Sequence, residues 1–448
     1  MYVRFWGTRG SIATPGPQSA RYGGNTACVE VRADDGTLLI LDCGTGAREL
    51  GLHLLRSAQR PLRLHLLLGH THWDHIQGFP FFDPAFLPDT ELNLYAPRDF
   101  QHSLEETLAG QMQDPYFPLK LHDLRSRIRY TELEEGCFRL GEVLVETQYL
   151  NHTAPTIAYR LSSGGARVAY VTDHEPFWNP AGQVFHHPGD QRHIDFLKGS
   201  DLIIHDAQYT QEEYPRKMGW GHSTIEYATY VALAAGSSRL ALFHHDPNHD
   251  DATIRRLEEA ARARIATHSE TLEIFAAAEG FELEVRGHGR APTGVDRLAP
   301  QHRSLMGRRV MVVSADASHI AAATHALAED EIMLMHAADG RTALAQAPAI
   351  APDLVLIDQR LPDRDGATLI RSLRARLRRQ NLPIILLVGG PMIESPLRNG
   401  TPAAIDYLAT PFKPPMLRAR VHAWLIRTST PGDVRSDGQL FRAHRAQA

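Results

Sequence analysis

The sequence predicts two α/β units in tandem: a sandwich of mixed strands and helices over residues 1–286, then a doubly wound parallel sheet over residues 309–428. Three observations carry this. The chain has 448 residues, more than one ordinary domain uses. Strand and helix patterns mix irregularly in the first part and alternate strictly in the second. Between them, residues 287–308 hold Gly-His-Gly-Arg-Ala-Pro-Thr-Gly294, Pro300 and several arginines, a composition that fits a linker.

A hydrophobic fraction of 43% and a charged fraction of 22% describe a globular chain with ample core. A net charge of −5 and a pI near 6.6 give no whole-chain reason to expect nucleic-acid or membrane binding. No apolar run has the length to span a bilayer, and Met1-Tyr-Val-Arg-Phe5 lacks the layout of a signal peptide. Cys28, Cys43 and Cys137 form no metal-site spacing and cannot all pair, which suits a reducing compartment. The expected location is the cytoplasm.

The first part opens with strand patterns at Val3–Trp6, Ala27–Val31 and Leu38–Asp42, broken by glycine turns. Arg48 to Arg60 has helical periodicity, and Leu62–Leu68 is an apolar strand. Further strands are expected at Leu92–Tyr95, Val143–Leu150, Thr156–Leu161, Val168–Thr172, Leu202–His205, Leu240–Phe243 and Phe281–Val285. Helices are expected at Leu104–Gln113, Thr224–Ala235 and Asp251–Ala277. From Arg309 five strands (Val310–Val313, Met333–Met335, Leu354–Ile357, Ile384–Val388 and Tyr407–Leu408) alternate with helices, the last at Met416–Thr428. Residues 429–448 read as a polar tail.

Of the 25 histidines, 19 lie before residue 290, so the first part holds the chemistry. The densest cluster is His70-Thr-His72-Trp-Asp74-His75, directly after the Leu62–Leu68 strand. Three imidazoles and a carboxylate in six residues suit a divalent metal far better than a core. One loop cannot surround an ion, so further ligands must come from elsewhere. His152, Asp173 and His244 each end an apolar strand, where loops converge. The set supplies five His and two Asp, enough for two ions if Asp173 bridges.

This set resembles the metallo-β-lactamase superfamily over residues 1 to about 286, in the order of its ribonuclease Z-like phosphodiesterase branch. The resemblance implies an αββα sandwich. It implies one metal held by His70, His72, His152 and Asp173, and a second held by Asp74, His75, Asp173 and His244. Asp42 matches the family's aspartate that orients the ligand cluster. Nitrogen and oxygen ligands permit Zn²⁺, the first choice, and also Mn²⁺ or iron.

Gly219-Trp-Gly-His222-Ser-Thr-Ile-Glu226 adds the acid. Ser223 and Glu226 have capping-box spacing, so a helix is expected just after His222, at a place that favours anions. The segment resembles the phosphodiesterase branch's His-Ser-Thr motif, whose histidine gives a proton to the leaving oxygen. The implied catalytic residues are His222 and Asp74, with two ions activating a water and clamping the phosphoryl oxygens.

Phe5-Trp-Gly-Thr-Arg-Gly-Ser11 and Tyr22-Gly-Gly-Asn-Thr26 resemble small bacterial phosphodiesterase-like members. Members that process tRNA carry a gripping arm between the third and fourth ligand motifs, and only 20 residues separate His152 from Asp173. The expected partner is a small phosphodiester, a cyclic nucleotide or cyclic sugar phosphate, with nucleic acid disfavoured. Met112, Tyr116, Phe117 and Pro118 are candidates for an apolar wall over the metals, or equally for plain core packing. Thioester or lactone hydrolysis and a non-catalytic, metal-stabilised signalling module are the alternatives.

Residues 309–428 resemble a response-regulator receiver domain. Asp358, before Leu361-Pro-Asp-Arg-Asp-Gly366, matches the phosphoacceptor. The acidic pair that holds Mg²⁺ falls on Ser314-Ala315, the switch hydroxyl on Val388 and the lysine on Thr410. The expected role is a pseudo-receiver, for dimerisation or for docking a signalling partner.

Overall fold

A computed structural model describes residues 1–57, 60–99, 102–177, 188–266, 272–287, 307–328, 330, 332–389, 405–412 and 414–427. Most of the expected linker and the whole expected tail lie outside these residues.

The first part is built on two seven-stranded sheets. The first holds β1 (Tyr2–Gly7), β2 (Cys28–Arg32), β3 (Leu38–Leu41), β4 (Leu62–Leu67), β5 (Thr90–Pro97) and β6 (Arg127–Leu133). The second holds β7 (Gly136–Leu140), β8 (Val143–Tyr149), β9 (Ile157–Ser163), β10 (Ala166–Val171), β11 (Leu202–Asp206), β12 (Arg239–Phe243) and β13 (Glu273–Ala276). The last strand, β14 (Glu282–Glu284), returns to the first sheet and pairs antiparallel with β1.

The central strands of both sheets are buried on both faces, which is why they read as runs of Leu, Val and Ile. Val3, Phe5, Val31, Leu39 and Leu67 of the first sheet meet Val145, Tyr159, Val168, Ile204 and Phe243 of the second. The outer face of the first sheet is covered by α1 (Ala47–Ser57) and α3 (Leu104–Gln111), through Leu50, Leu54, Leu104 and Leu108. The outer face of the second is covered by α4 (Pro188–Leu197), α5 (Ile225–Ala235) and α6 (Asp251–Ile265). The helix ends are chemically fixed. Thr224 caps α5 by accepting from the Tyr227 N–H, and left-handed Gly236 closes it. The result is the expected αββα layering.

Three expectations need correcting. Asp251–Ala277 is not one helix, because α6 ends at Ile265 and Glu273–Ala276 becomes β13. Pairing parallel to β12 gives that short apolar segment a full ladder, so tertiary pairing overrides its local pattern. The cap of α5 is Thr224, one residue later than Ser223–Glu226 spacing implied. Met112 is buried beneath the first sheet's outer layer and Phe117 packs against the same cluster, while Tyr116 and Pro118 face solvent. They are not a wall over the metal site.

The second part is a five-stranded parallel sheet of β15 (Arg309–Val313), β16 (Met333–Ala337), β17 (Leu354–Asp358), β18 (Ile384–Gly389) and β19 (Ile405–Thr410), in the order β16-β15-β17-β18-β19. Between the strands run α7 (Ala317–Ala326), α8 (Gly340–Ile350) and α9 (Gly366–Leu377), and α10 (Pro414–Arg427) follows β19. Helices α8 and α9 pair on one face, and α7 and α10 on the other. This is the doubly wound topology expected from strict alternation. Among the described residues, no helix is long and apolar enough to cross a membrane.

Candidate metal centre and proton-donor site

Strands β8 and β10 both run antiparallel to β9, and β10, β11 and β12 run parallel, so their C-terminal ends share one rim. The ends of β3 and β4 reach the same rim from the first sheet. Three residues leave it in the left-handed region: Asp42 (φ 59°), Asp173 (φ 42°) and His244 (φ 60°). Such backbone is costly for residues with a Cβ and concentrates where side chains must be aimed.

The rim gathers all seven expected ligands. Ligand atoms of His70, His72, His152 and Asp173 lie within 4.8 Å of one another, as do those of Asp74, His75, Asp173 and His244. Asp173 belongs to both groups. Its Oδ2 is 3.4 Å from His70 Nε2 and 3.6 Å from His152 Nε2, and its Oδ1 is 3.2 Å from both His75 Nε2 and His244 Nε2. Helix α2 (Trp73–Ile76) gives Asp74 and His75 their inward aim.

The ligands are themselves held. Asp42 accepts from His75 Nδ1 at 2.8 Å, from the Tyr170 hydroxyl at 2.6 Å and from the Gly69 N–H at 2.6 Å. That leaves the His75 Nε2 facing the cluster, as expected of Asp42. His152 Nδ1 donates to the Gly221 carbonyl at 2.9 Å, and His244 Nδ1 faces Gln208 Oε1 at 3.1 Å. The Ser11 N–H donates to Asp74 Oδ2 at 2.7 Å.

The residues present fit metal ions. Both ring nitrogens of buried His70 lack a hydrogen-bond partner among the described residues, an arrangement that costs free energy unless something else binds there. Burial lowers the pKa of His70 well below its ordinary value and that of His152 to about 3, keeping both in the neutral, ligating form. Around His75, burial opposes protonation, but Asp74, Asp173 and Asp42 outweigh it and raise its pKa. Three carboxylates converging there call for positive charge.

His222 lies beside this centre, its ring stacked 5.1 Å from that of His244. Its Nδ1 is 3.2 Å from Asp206 Oδ2, and Asp206 also accepts from the backbone N–H groups of His174 and Ser223. Burial would lower the His222 pKa, but Asp206, Asp173 and Asp74 outweigh it and push it up to about 9. Ser11, Thr71, His72, Trp73, Asp74, Asp173 and His222 line a cavity of about 440 Å³ over the centre. Trp73 is 72% exposed at its mouth.

Asp206 was not singled out from the sequence. The available signal was the same one that marked Asp173, an acid at the tip of an apolar strand, here Leu202-Ile-Ile-His-Asp206. Nearby, His174 Nδ1 accepts from the Asn151 N–H at 3.2 Å, and His205 Nε2 lies 3.1 Å from His193 Nε2.

In the second part, both oxygens of Asp358 are engaged: Ser314 Oγ donates to one, and His319 Nδ1 lies 2.9 Å from the other. Asp316 caps α7, and Asp363 accepts from the N–H groups of Gly340 and Arg341.

Fold and rim together define a hydrolase of the metallo-β-lactamase superfamily joined to a receiver domain. Residues 37–245 match the β-lactamase superfamily domain and residues 310–422 match the response regulator receiver domain. The chain carries both. It is 25% identical over 322 residues to ribonuclease Z of Haloarcula marismortui, covering 64% of this chain and 97% of that protein. It is likewise 25% identical over 322 residues to ribonuclease Z of Thermoplasma acidophilum, covering 63% and 97%. A metallo-β-lactamase fold protein from Bacillus subtilis aligns with a TM-score of 0.45 at 17% identity, covering 63% of this chain and 99% of that one.

Proposed function

We propose that residues 1–286 form a dinuclear phosphodiesterase and residues 309–428 a receiver-like unit that has lost its phosphorylation switch. The observation that carries the first half is the Asp206–His222 pair beside the two ligand groups. A departing alkoxide needs a proton and a departing thiolate does not, so an imidazole held against the rim by a carboxylate favours the phosphodiester over the thioester.

His70, His72, His152 and Asp173 hold one ion in this reading, and Asp74, His75, Asp173 and His244 the other. Bound divalent ions, Zn²⁺ first with Mn²⁺ and iron as alternatives, would lower the pKa of an attacking water and polarise the phosphoryl oxygens. Asp74, fixed by the Ser11 N–H, orients the nucleophile. His222 delivers its proton to the leaving oxygen, and Asp206 keeps it protonated until then.

The substrate class that fits is a small phosphodiester, a cyclic nucleotide or cyclic sugar phosphate. The cavity has the size of a small-molecule site. The chain between His152 and Asp173 is used up by the β9–β10 hairpin, which supports a site without a projecting arm. Exposed Trp73 offers a face on which a base stacks. The name of the ribonuclease Z relatives supports a second reading, cleavage of an RNA phosphodiester.

Hydrolysis of bis(p-nitrophenyl) phosphate by metal-assayed protein, followed by a cyclic mononucleotide and an RNA oligonucleotide, tests these readings. Turnover of the first two but not the third supports the small substrate. Turnover of RNA alone selects the second reading. Activity confined to thioester or lactone probes refutes both, and bound metal without any turnover returns the unit to a signalling module.

A further inference from the structure

Arg420 belongs to α10 of the receiver domain, yet its side chain is buried against the hydrolase domain. Its Nε donates to Asn151 Oδ1 at 2.9 Å and its Nη1 to Asp406 Oδ1 at 3.1 Å. The guanidinium carbon lies 5.2 Å from the centre of the Phe177 ring. Trp424 Nε1 donates to the other oxygen of Asp406 at 3.1 Å. A planar fork that serves two acceptors on two domains at once is something arginine supplies and lysine does not.

Asn151 directly precedes the ligand His152 and is 2% exposed. Its Nδ2 donates to the Glu175 carbonyl at 2.8 Å, and the Glu175 N–H donates back to the Asn151 carbonyl at 2.7 Å. The Glu175 carboxylate in turn accepts from the N–H groups of Gly219 at 2.7 Å and Gly221 at 2.8 Å. Gly221 closes the circuit through its carbonyl on His152 Nδ1, and His222 follows it. Gly221 has φ 90°, and a Cβ there would lie 2.1 Å from His152 Nδ1, so this loop has no slack.

We propose that Arg420 is a positioning residue for the hydrolase rim. By fixing Asn151 from the receiver side, it holds Glu175 under the Gly219–His222 loop and so sets the aim of His152 and His222. The receiver domain thereby becomes a structural part of the site, which gives it a use that does not need phosphorylation. The kinetic readout of this inference rests on the proposed phosphodiesterase activity, but its structural readout does not.

The test uses the full chain as wild type, Arg420→Met, Arg420→Lys and Trp424→Phe. Arg420→Met keeps a linear stem over Phe177 and loses both donors. Trp424→Phe loosens the same helix and leaves the Arg420–Asn151 bond. Backbone hydrogen exchange across residues 214–224 should rise about tenfold in Arg420→Met, stay at the wild-type rate in Trp424→Phe and fall between in Arg420→Lys. On bis(p-nitrophenyl) phosphate, compared at equal bound metal, Arg420→Met should lose about tenfold in kcat with KM within about twofold. Wild-type exchange in Arg420→Met, or equal exchange in Arg420→Met and Trp424→Phe, overturns the proposal. If the wild type turns over no phosphodiester, the functional reading fails, while the exchange comparison still decides the role of Arg420.

Discussion

Asp206 Oδ2 and His222 Nδ1 face each other across 3.2 Å, one at the tip of β11 and the other two residues before the cap of α5. The carboxylate is pinned by three further backbone N–H groups, those of His174, Gln208 and Ser223, so it is fixed before any substrate arrives. Preorganisation of this kind is what a proton donor requires.

Replacing His222 by asparagine keeps a polar side chain and removes the proton. We expect kcat on bis(p-nitrophenyl) phosphate to fall by about 10² to 10⁴ with metal content unchanged. Steady-state kinetics beside a metal assay checks this, and a loss of less than threefold would remove His222 from the mechanism.

The pH profile tests Asp206. In the proposed mechanism His222 acts in its protonated form, so the rate should fall as pH rises through its pKa, which the carboxylates push up to about 9. Asp206→Asn withdraws the largest of those raising causes, so the falling limb should move to lower pH. A limb that stays in place means that another group sets it.

Gly10 packs directly on the candidate ligand His244. A Cβ there would lie 2.3 Å from His244 Nδ1, with no room to be accommodated. Gly10→Ala should displace the His244 ring and lower the metal content from two ions per chain toward one. Asp42→Ala should act by the other route, freeing the His75 ring and weakening metal binding by about 10- to 100-fold. Titration of the metal-stripped protein with Zn²⁺ measures both effects.

Asp358 should not take up phosphate. Ser314 and His319 already occupy its oxygens, and among the described residues no acidic pair stands by to hold Mg²⁺. Incubation with acetyl phosphate and Mg²⁺ should leave the mass of the intact protein unchanged. A gain of one phosphoryl group that is lost in Asp358→Asn would show a working switch.

Much of this was legible in the residues. Apolar runs ending in His or Asp gave the strands and the seven candidate ligands, because a strand's tip is where a buried sheet must surrender its chain to a loop. Strict alternation gave the receiver's parallel sheet. What escaped were strands whose local pattern is weak. Arg127–Leu133 and Gly136–Leu140 are half-exposed edge segments of mixed composition, and Glu273–Ala276 is a strand only because β12 lies beside it.

The sequence by itself determined which residue types stand ready for metal and for proton transfer, since ligand chemistry is a property of the side chains and their spacing. Only the tertiary structure decided who holds them. Asp206 and His222 are 16 residues apart, and Arg420 and Asn151 are 269 apart, so no local pattern relates them. Their pairing follows from strands sharing a rim and from α10 lying against it. Burial then makes those pairings matter, because a charge taken out of water must find its partner nearby.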